Sequence, residues 1–176
     1  MISRQFIEVN LQEIFNRRSI RKYQNNTIPF ENIKKILKAG MAAPSAGNQQ
    51  PWQFVVITES EIKNRIMAVH TYGKMLGDAP AAILICGDRS REKHSGFWVQ
   101  DCSAATQNML LMIESLGLGG VWLGVYPDQK RVKAIADILN IPDNITPFSL
   151  IALGYPAESK PPNDRYSDAR VHFDRW

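Results

Sequence analysis

FWVQDCSAATQNMLLMIESL, residues 97 to 116, and the GLGGVWLGVY that follows it, residues 117 to 126, are the stretch on which the fold turns. Phe97, Trp98, Val99, Cys102, Ala104, Ala105, Met109, Leu110, Leu111, Met112, Ile113 and Leu116 recur at helical spacing and cover more than one face. A helix apolar on several sides must be buried on several sides, at the centre of a domain or in a subunit interface. Its Gln100, Asp101, Gln107 and Asn108 exclude a membrane span. Gly117 suits the end of that helix, and GVWLGVY at 120 to 126, rich in β-branched and aromatic residues, reads as a strand.

Towards the C-terminus, Val132, Ile135, Ala136 and Leu139 mark an amphipathic helix, and SLIALGY at 149 to 155 a buried strand. Towards the N-terminus the pattern predicts a strand AAILICG at 81 to 87 and a helix from Ser60 through Ile62, Ile66, Met67 and Val69. It also predicts a strand FVVIT at 54 to 58, a helix over about 30 to 42, and a first helix from near Arg4 through Phe6, Ile7, Leu11, Ile14 and Phe15. Two helices precede any strand, so the order is not a simple βαβ repeat; a sheet with helices on both sides is expected. Residues 157 to 176, AESKPPNDRYSDARVHFDRW, read as an extended arm, and with no internal repeat or linker the whole of 1 to 176 reads as one domain.

The 176 residues are 44% hydrophobic and 22% charged, which excludes a disordered chain and a disulfide scaffold. Cys86 and Cys102 lie in apolar surroundings without a CxxC motif, so two reduced core thiols are expected. No apolar run is long enough for a signal peptide or a bilayer span, and the cytoplasm is the expected location. His70, His94 and His172 stand apart from other ligand types, and no metal is expected. The net charge of +4 is spread along the chain, which argues against a nucleic-acid or membrane partner.

The basic residues concentrate only in RRSIRKY, residues 17 to 23, where four of the six positions from Arg17 to Lys22 are cationic. In an extended segment Arg17, Ser19 and Arg21 share one side, and two guanidinium forks with a hydroxyl suit a phosphate monoester; a solvated basic turn is the plain alternative. In PSAGNQQPW, residues 44 to 52, Asn48 has the donor and acceptor needed for a ring edge, although such an Asn also satisfies its own turn. Gly124 would let a backbone amide touch a planar ligand, or marks a bulge. There is no GxGxxG, P-loop, GxSxG, HExxH or paired-carboxylate signature, so catalysis would fall to an organic cofactor.

RRSIRKY, PSAGNQQPWQFVV, QDCSAATQNMLL, GLGGVWLGVYP and the closing VHFDRW, in that order and spacing, resemble the flavin-dependent nitroreductase family over nearly the whole chain. The resemblance implies an α+β nitroreductase-like fold: a mixed, mainly antiparallel sheet flanked by helices, in an intertwined homodimer with one FMN per subunit. It implies no catalytic side chain, the chemistry being carried by FMN. By the resemblance Arg17, Arg18, Ser19 and Arg21 belong to the cofactor site, with the phosphate and ribityl chain on Arg17, Ser19 and Arg21 and the pyrimidine edge near Arg21. Pro44, Ser45 and Asn48 reach the flavin from the other subunit, and Leu123 and Gly124 lie beside its central ring. A C-terminal cation joins the phosphate; Arg165 is the better match and Arg170 the second, in a segment that departs from the family's Lys/Arg-Pro-Arg pattern.

The implied activity is ping-pong hydride transfer from NAD(P)H to nitroaromatics, quinones or similar small acceptors. Reductive dehalogenation, flavin fragmentation or dehydrogenation on the same fold is the alternative within flavin chemistry, and a non-catalytic flavin-binding protein the alternative outside it.

Overall fold

Two strands in this chain have no polar face, and they occupy the middle of the sheet. The computed structural model describes residues 12–176 and contains nine regular elements among them. These are α1 (Gln12–Asn16), α2 (Phe30–Met41), β1 (Trp52–Ile57), α3 (Ser60–Val69), β2 (Ala81–Asp88), α4 (Trp98–Ser115), β3 (Gly119–Gly124), α5 (Gln129–Leu139) and β4 (Ile145–Gly154). The strands pair antiparallel in the order β1-β2-β4-β3, and a lone bridge between Ser19 and Gly120 adds a parallel contact at the β3 edge.

The central strands are apolar on both sides because both sheet faces are covered. Ala81, Ile83 and Ile85 of β2 and Ile151 and Leu153 of β4 join a cluster with Ile33 and Ile36 of α2 and with Trp98, Cys102, Met109 and Ile113 of α4. The alternate residues, Ala82, Leu84 and Cys86 with Leu150 and Ala152, join Ile66 of α3 and Ile135 of α5. The period-two alternation of the strands thus divides one sheet between two cores. Eight residues of α4 are buried, and six of them, Trp98, Cys102, Ala105, Met109, Leu110 and Ile113, belong to the cluster shared with the sheet and α2. Cys86 and Cys102 are both free and buried, and burial pushes the Cys86 thiol up to about 12.

The elements follow the sequence pattern closely, and the departures have local causes. β4 begins at Ile145, four residues before the expected start, because Pro147 interrupts the apolar run in sequence yet sits at a register shift between Ile85 and Cys86 of β2. Proline is tolerated at such an irregularity because no ladder donor is needed there. β3 ends at Gly124 because the Val125 and Tyr126 amides both turn onto the Phe148 carbonyl, at 3.2 and 2.9 Å. β1 starts two residues early at Trp52, paired with Gly87, where a side chain would meet Trp98. The expected first helix lies partly outside the described residues; α1 is its C-terminal end, closed by Arg17 N–H donating to the Glu13 carbonyl at 3.0 Å.

Candidate functional site

Residues 17 to 23 leave α1 and run along the free edge of β3. Ile20 N–H donates to the Gly120 carbonyl at 3.1 Å, and Ile20 is buried against Gly119, where any side chain would collide with its Cβ at 2.7 Å. Tyr23 anchors the far end, its hydroxyl donating towards the carbonyls of Ile20 (2.6 Å) and Ala152 (3.0 Å). Burial drives that phenol's pKa upward, so it stays protonated.

With Ile20 and Tyr23 buried, the neighbouring side chains sort onto different sides. Arg21 lines a cleft of about 720 Å³ together with Leu123 and Gly124, and Arg17 lines a second cleft of about 260 Å³ together with Arg165. Arg18 takes the other side, facing the tail, where its guanidinium donates to the Pro161 carbonyl and to Asn163 Oδ1. Extended backbone advances about 3.3 Å per residue, so Arg17 and Arg21 stand roughly 13 Å apart along the segment, with Ser19 between them.

The larger cleft is cationic and apolar. Arg21, Lys74 and Arg131 supply its charge, Arg131 being paired with Asp128 at 3.3 Å; among the described residues no carboxylate lines it, and Met75, Trp122 and Leu123 supply apolar surface. Tyr72, 72% exposed, stands on its rim. Among the described residues no atom lies within 4 Å of the position that a Cβ on Gly124 would take, so their packing does not require glycine there. The Gly124 carbonyl is drawn back by two donors, Arg131 Nη1 at 2.8 Å and His70 Nε2 at 3.0 Å. Because a carbonyl only accepts, that bond puts the His70 proton on Nε2 and leaves Nδ1 a bare acceptor. Burial holds the His70 pKa below its ordinary value. Among the described residues neither His70 Nδ1 nor Arg131 Nε, both buried atoms, has a hydrogen-bond partner.

Pro44, Ser45 and Asn48 lie elsewhere. None lines the cleft that Arg21 shares with Gly124. Their loop is a tight turn in which Gly47, Asn48 and Gln50 all have positive φ. Ser45 Oγ accepts from Gln50 N–H at 3.0 Å and Asn48 Oδ1 from Gln50 Nε2 at 2.7 Å, so both side chains take local partners. The loop is fixed from α4, where Asp101 accepts from Ala46 N–H at 2.9 Å and from Gln49 Nε2 at 2.6 Å. Arg170 ends a short turn, Asp168–Arg170, and lines neither cleft; Arg165 is the tail arginine that lines the cleft of Arg17.

Lys74, Arg131 and Tyr72 escaped the sequence reading, and His70 reads there only as a non-ligand of metal. Lys74 lies between Gly73 and Gly77 in a short stretch without a motif, and Arg131 lies on a helix read only for its apolar face. For Asp101 a signal existed: it is a lone carboxylate in an apolar helix, and such a group needs buried partners. Among the described residues no group of three or more His, Cys, Asp or Glu is placed to hold a metal ion, and no helix is long and apolar enough to cross a membrane.

Residues 14–155 match the model of the nitroreductase family. The chain belongs to that family. A nitroreductase-family protein of Methanothermobacter thermautotrophicus, described as a candidate NADH dehydrogenase/NAD(P)H nitroreductase, is 51% identical over 166 residues, covering 94% of this chain and 87% of that one. A protein of Archaeoglobus fulgidus with the same description is 48% identical over 174 residues, covering 97% of this chain and 100% of that one. A candidate nitroreductase of Desulfovibrio desulfuricans, solved in complex with FMN, superposes with a TM-score of 0.81 at 32% identity, covering 94% of this chain and 96% of that one. The α+β nitroreductase-like fold expected from the sequence is therefore the fold observed.

Proposed function

We propose that this nitroreductase-family protein is an FMN-dependent NAD(P)H oxidoreductase. The observation that carries this is the meeting of Arg21, Leu123 and Gly124 in one cationic cleft, with open space over Gly124. The donor set fits the cofactor along its length. Arg17 and Arg165 would take the phosphate, Ser19 the ribityl chain, and Arg21 with Lys74 the pyrimidine edge, while the apolar surface at Leu123 and the bare backbone at Gly124 would receive the ring.

Bound FMN supplies acceptance of hydride from NAD(P)H and its delivery to an acceptor. The protein's part is electrostatic and geometric. Fixed cations at the pyrimidine edge favour negative charge there, and the flat cleft aligns one planar substrate at a time. NAD(P)H and a nitroaromatic or quinone acceptor use the same cleft in turn, in ping-pong order.

The protein acts as a homodimer in this reading, with Pro44, Ser45 and Asn48 of each subunit completing the partner's site. Two observations support it: those residues stand away from the cleft of their own chain, and the arm leaves Tyr166, Phe173 and Trp176 exposed at 74%, 86% and 101%. A partner surface would cover that apolar area.

The test is the visible spectrum of the purified protein. Flavin bands that bleach with NADH or NADPH and return with a quinone, with parallel lines in initial-rate plots, are expected. A protein that takes up no FMN, or whose flavin neither nucleotide reduces, would overturn the proposal.

A further inference from the structure

After β4 the chain turns back along the basic segment. Gln24 N–H donates to the Tyr155 carbonyl at 2.9 Å, Tyr23 bridges Pro156, and Ala157 N–H donates to the Lys22 carbonyl at 2.9 Å. Past this point charged side chains replace the ladder. Glu158 Oε1 accepts the Arg21 N–H at 2.6 Å, Lys160 Nζ donates to the Ser19 carbonyl at 2.6 Å, and the two side chains pair with each other at 3.1 Å. On the opposite edge the same backbone is tied to Gly120.

Residues 19 to 21 of the segment are therefore held extended, by Gly120 of β3 on one edge and by two tail side chains on the other. Strand side chains alternate, so the rotation of this backbone determines which way the arginines face. Turning Ser19–Arg21 about its axis would break the Glu158 and Lys160 bonds together and swing Arg21 out of its cleft. Neither tail residue lines the cleft of Arg17 or of Arg21, so each acts through the backbone.

We propose that Glu158 and Lys160 are positioning residues: they lock the Ser19–Arg21 backbone with Arg21 towards the cofactor, and they lead the tail to Arg165, so that phosphate binding and ordering of the tail are one event. This rests on the FMN reading of the clefts and goes beyond it in assigning a role to side chains that do not touch them.

Two measurements separate the inference from that reading. In flavin-free protein, Glu158→Ala should speed hydrogen exchange at the Arg21 amide by about tenfold or more, because a charge-assisted bond is lost, whereas Glu158→Gln keeps an acceptor oxygen and should hold exchange near the parent's. In FMN titrations Glu158→Ala should raise Kd by about tenfold and Glu158→Gln by less than about threefold. FMN, but not riboflavin, should slow exchange across residues 158 to 165.

Unchanged exchange and affinity in Glu158→Ala, equal losses in the Ala and Gln variants, or equal protection of the tail by riboflavin would each overturn the proposal. If the parent takes up no FMN, the reading of the clefts fails and the exchange comparison still decides the lock. Should Glu158→Ala not fold, Lys160→Met against Lys160→Arg makes the same comparison: Kd raised in the first and recovered in the second, with an unaltered Lys160→Met overturning the assignment.

Discussion

The carboxylate of Asp101, in the first turn of α4, holds the side-chain amide of Gln49 at 2.6 Å across 52 residues of sequence. Gln49 in turn accepts the Lys93 and His94 amides on its Oε1, at 2.8 and 3.1 Å, so one buried pair joins α4, the 44 to 50 loop and the 89 to 97 segment. Asp101 is 4% exposed and Gln49 2%, so water cannot replace either partner.

Replacing Asp101 with Ala should therefore cost about 2 to 4 kcal/mol, because a buried carboxylate that accepts two hydrogen bonds is removed and its donors are left unpaired. Urea unfolding measures this. Asp101→Asn keeps one acceptor oxygen and should cost less than the Ala variant. A loss below about 0.5 kcal/mol in Asp101→Ala would show that the loop is held by other means.

The two glycines at opposite ends of β3 should respond oppositely. Gly119→Ala drives a Cβ into Ile20 at 2.7 Å and should destabilise the fold by about 1 to 3 kcal/mol through overpacking. Gly124→Val meets no protein atom near its Cβ and should leave the melting temperature of the flavin-free protein almost unchanged. The same change should weaken FMN by at least about tenfold, since the side chain enters the space assigned to the ring. Equilibrium FMN titration with thermal melts of both variants checks the pair, and undiminished FMN affinity in Gly124→Val would move the ring elsewhere.

His70 gives the fold a defined acid limb. It is neutral when folded, with its pKa held below the ordinary 6.5 mainly by burial, so the unfolded chain binds the extra proton first as pH falls. Stability from this group is complete above about pH 6.5 and declines as pH drops through 6.5 towards the lower folded value. His70→Gln keeps a donor for the Gly124 carbonyl but cannot titrate, so its denaturation midpoints should vary less between pH 7 and pH 5 than the parent's. Parallel pH profiles would contradict this.

The shared site can be tested by complementation. Arg17→Ala should weaken FMN by about 2 kcal/mol and riboflavin far less, because a charge-assisted phosphate contact is lost. If Asn48 serves the partner's site, dimers mixed from Arg17→Ala and Asn48→Ala chains carry both lesions in one site and none in the other. Flavin binding and turnover should then recover towards half the parental value per mixed dimer. Mixed dimers no better than the two parent variants would refute a site built from both chains.

The amino-acid sequence by itself determined the elements. Helical and strand periodicities are local, and α4, β2 and β4 show theirs without reference to any partner residue. In residues 17 to 23 the expected alternation is incomplete, because Ile20 and Tyr23 are both buried and Arg17 and Arg21 line different clefts. Only the tertiary structure decided which distant groups meet. Arg165 shares a cleft with Arg17, Lys74 and Arg131 share one with Arg21, Asp101 bonds Gln49, and Glu158 bonds the Arg21 amide. Each of these placements depends on how the two faces of the sheet are covered and on where the tail returns after β4. A hydrogen bond or ion pair acts over a few ångströms in space and leaves no period in the sequence, so the partners of a charged residue become known only when the packing of the apolar core has set their distances.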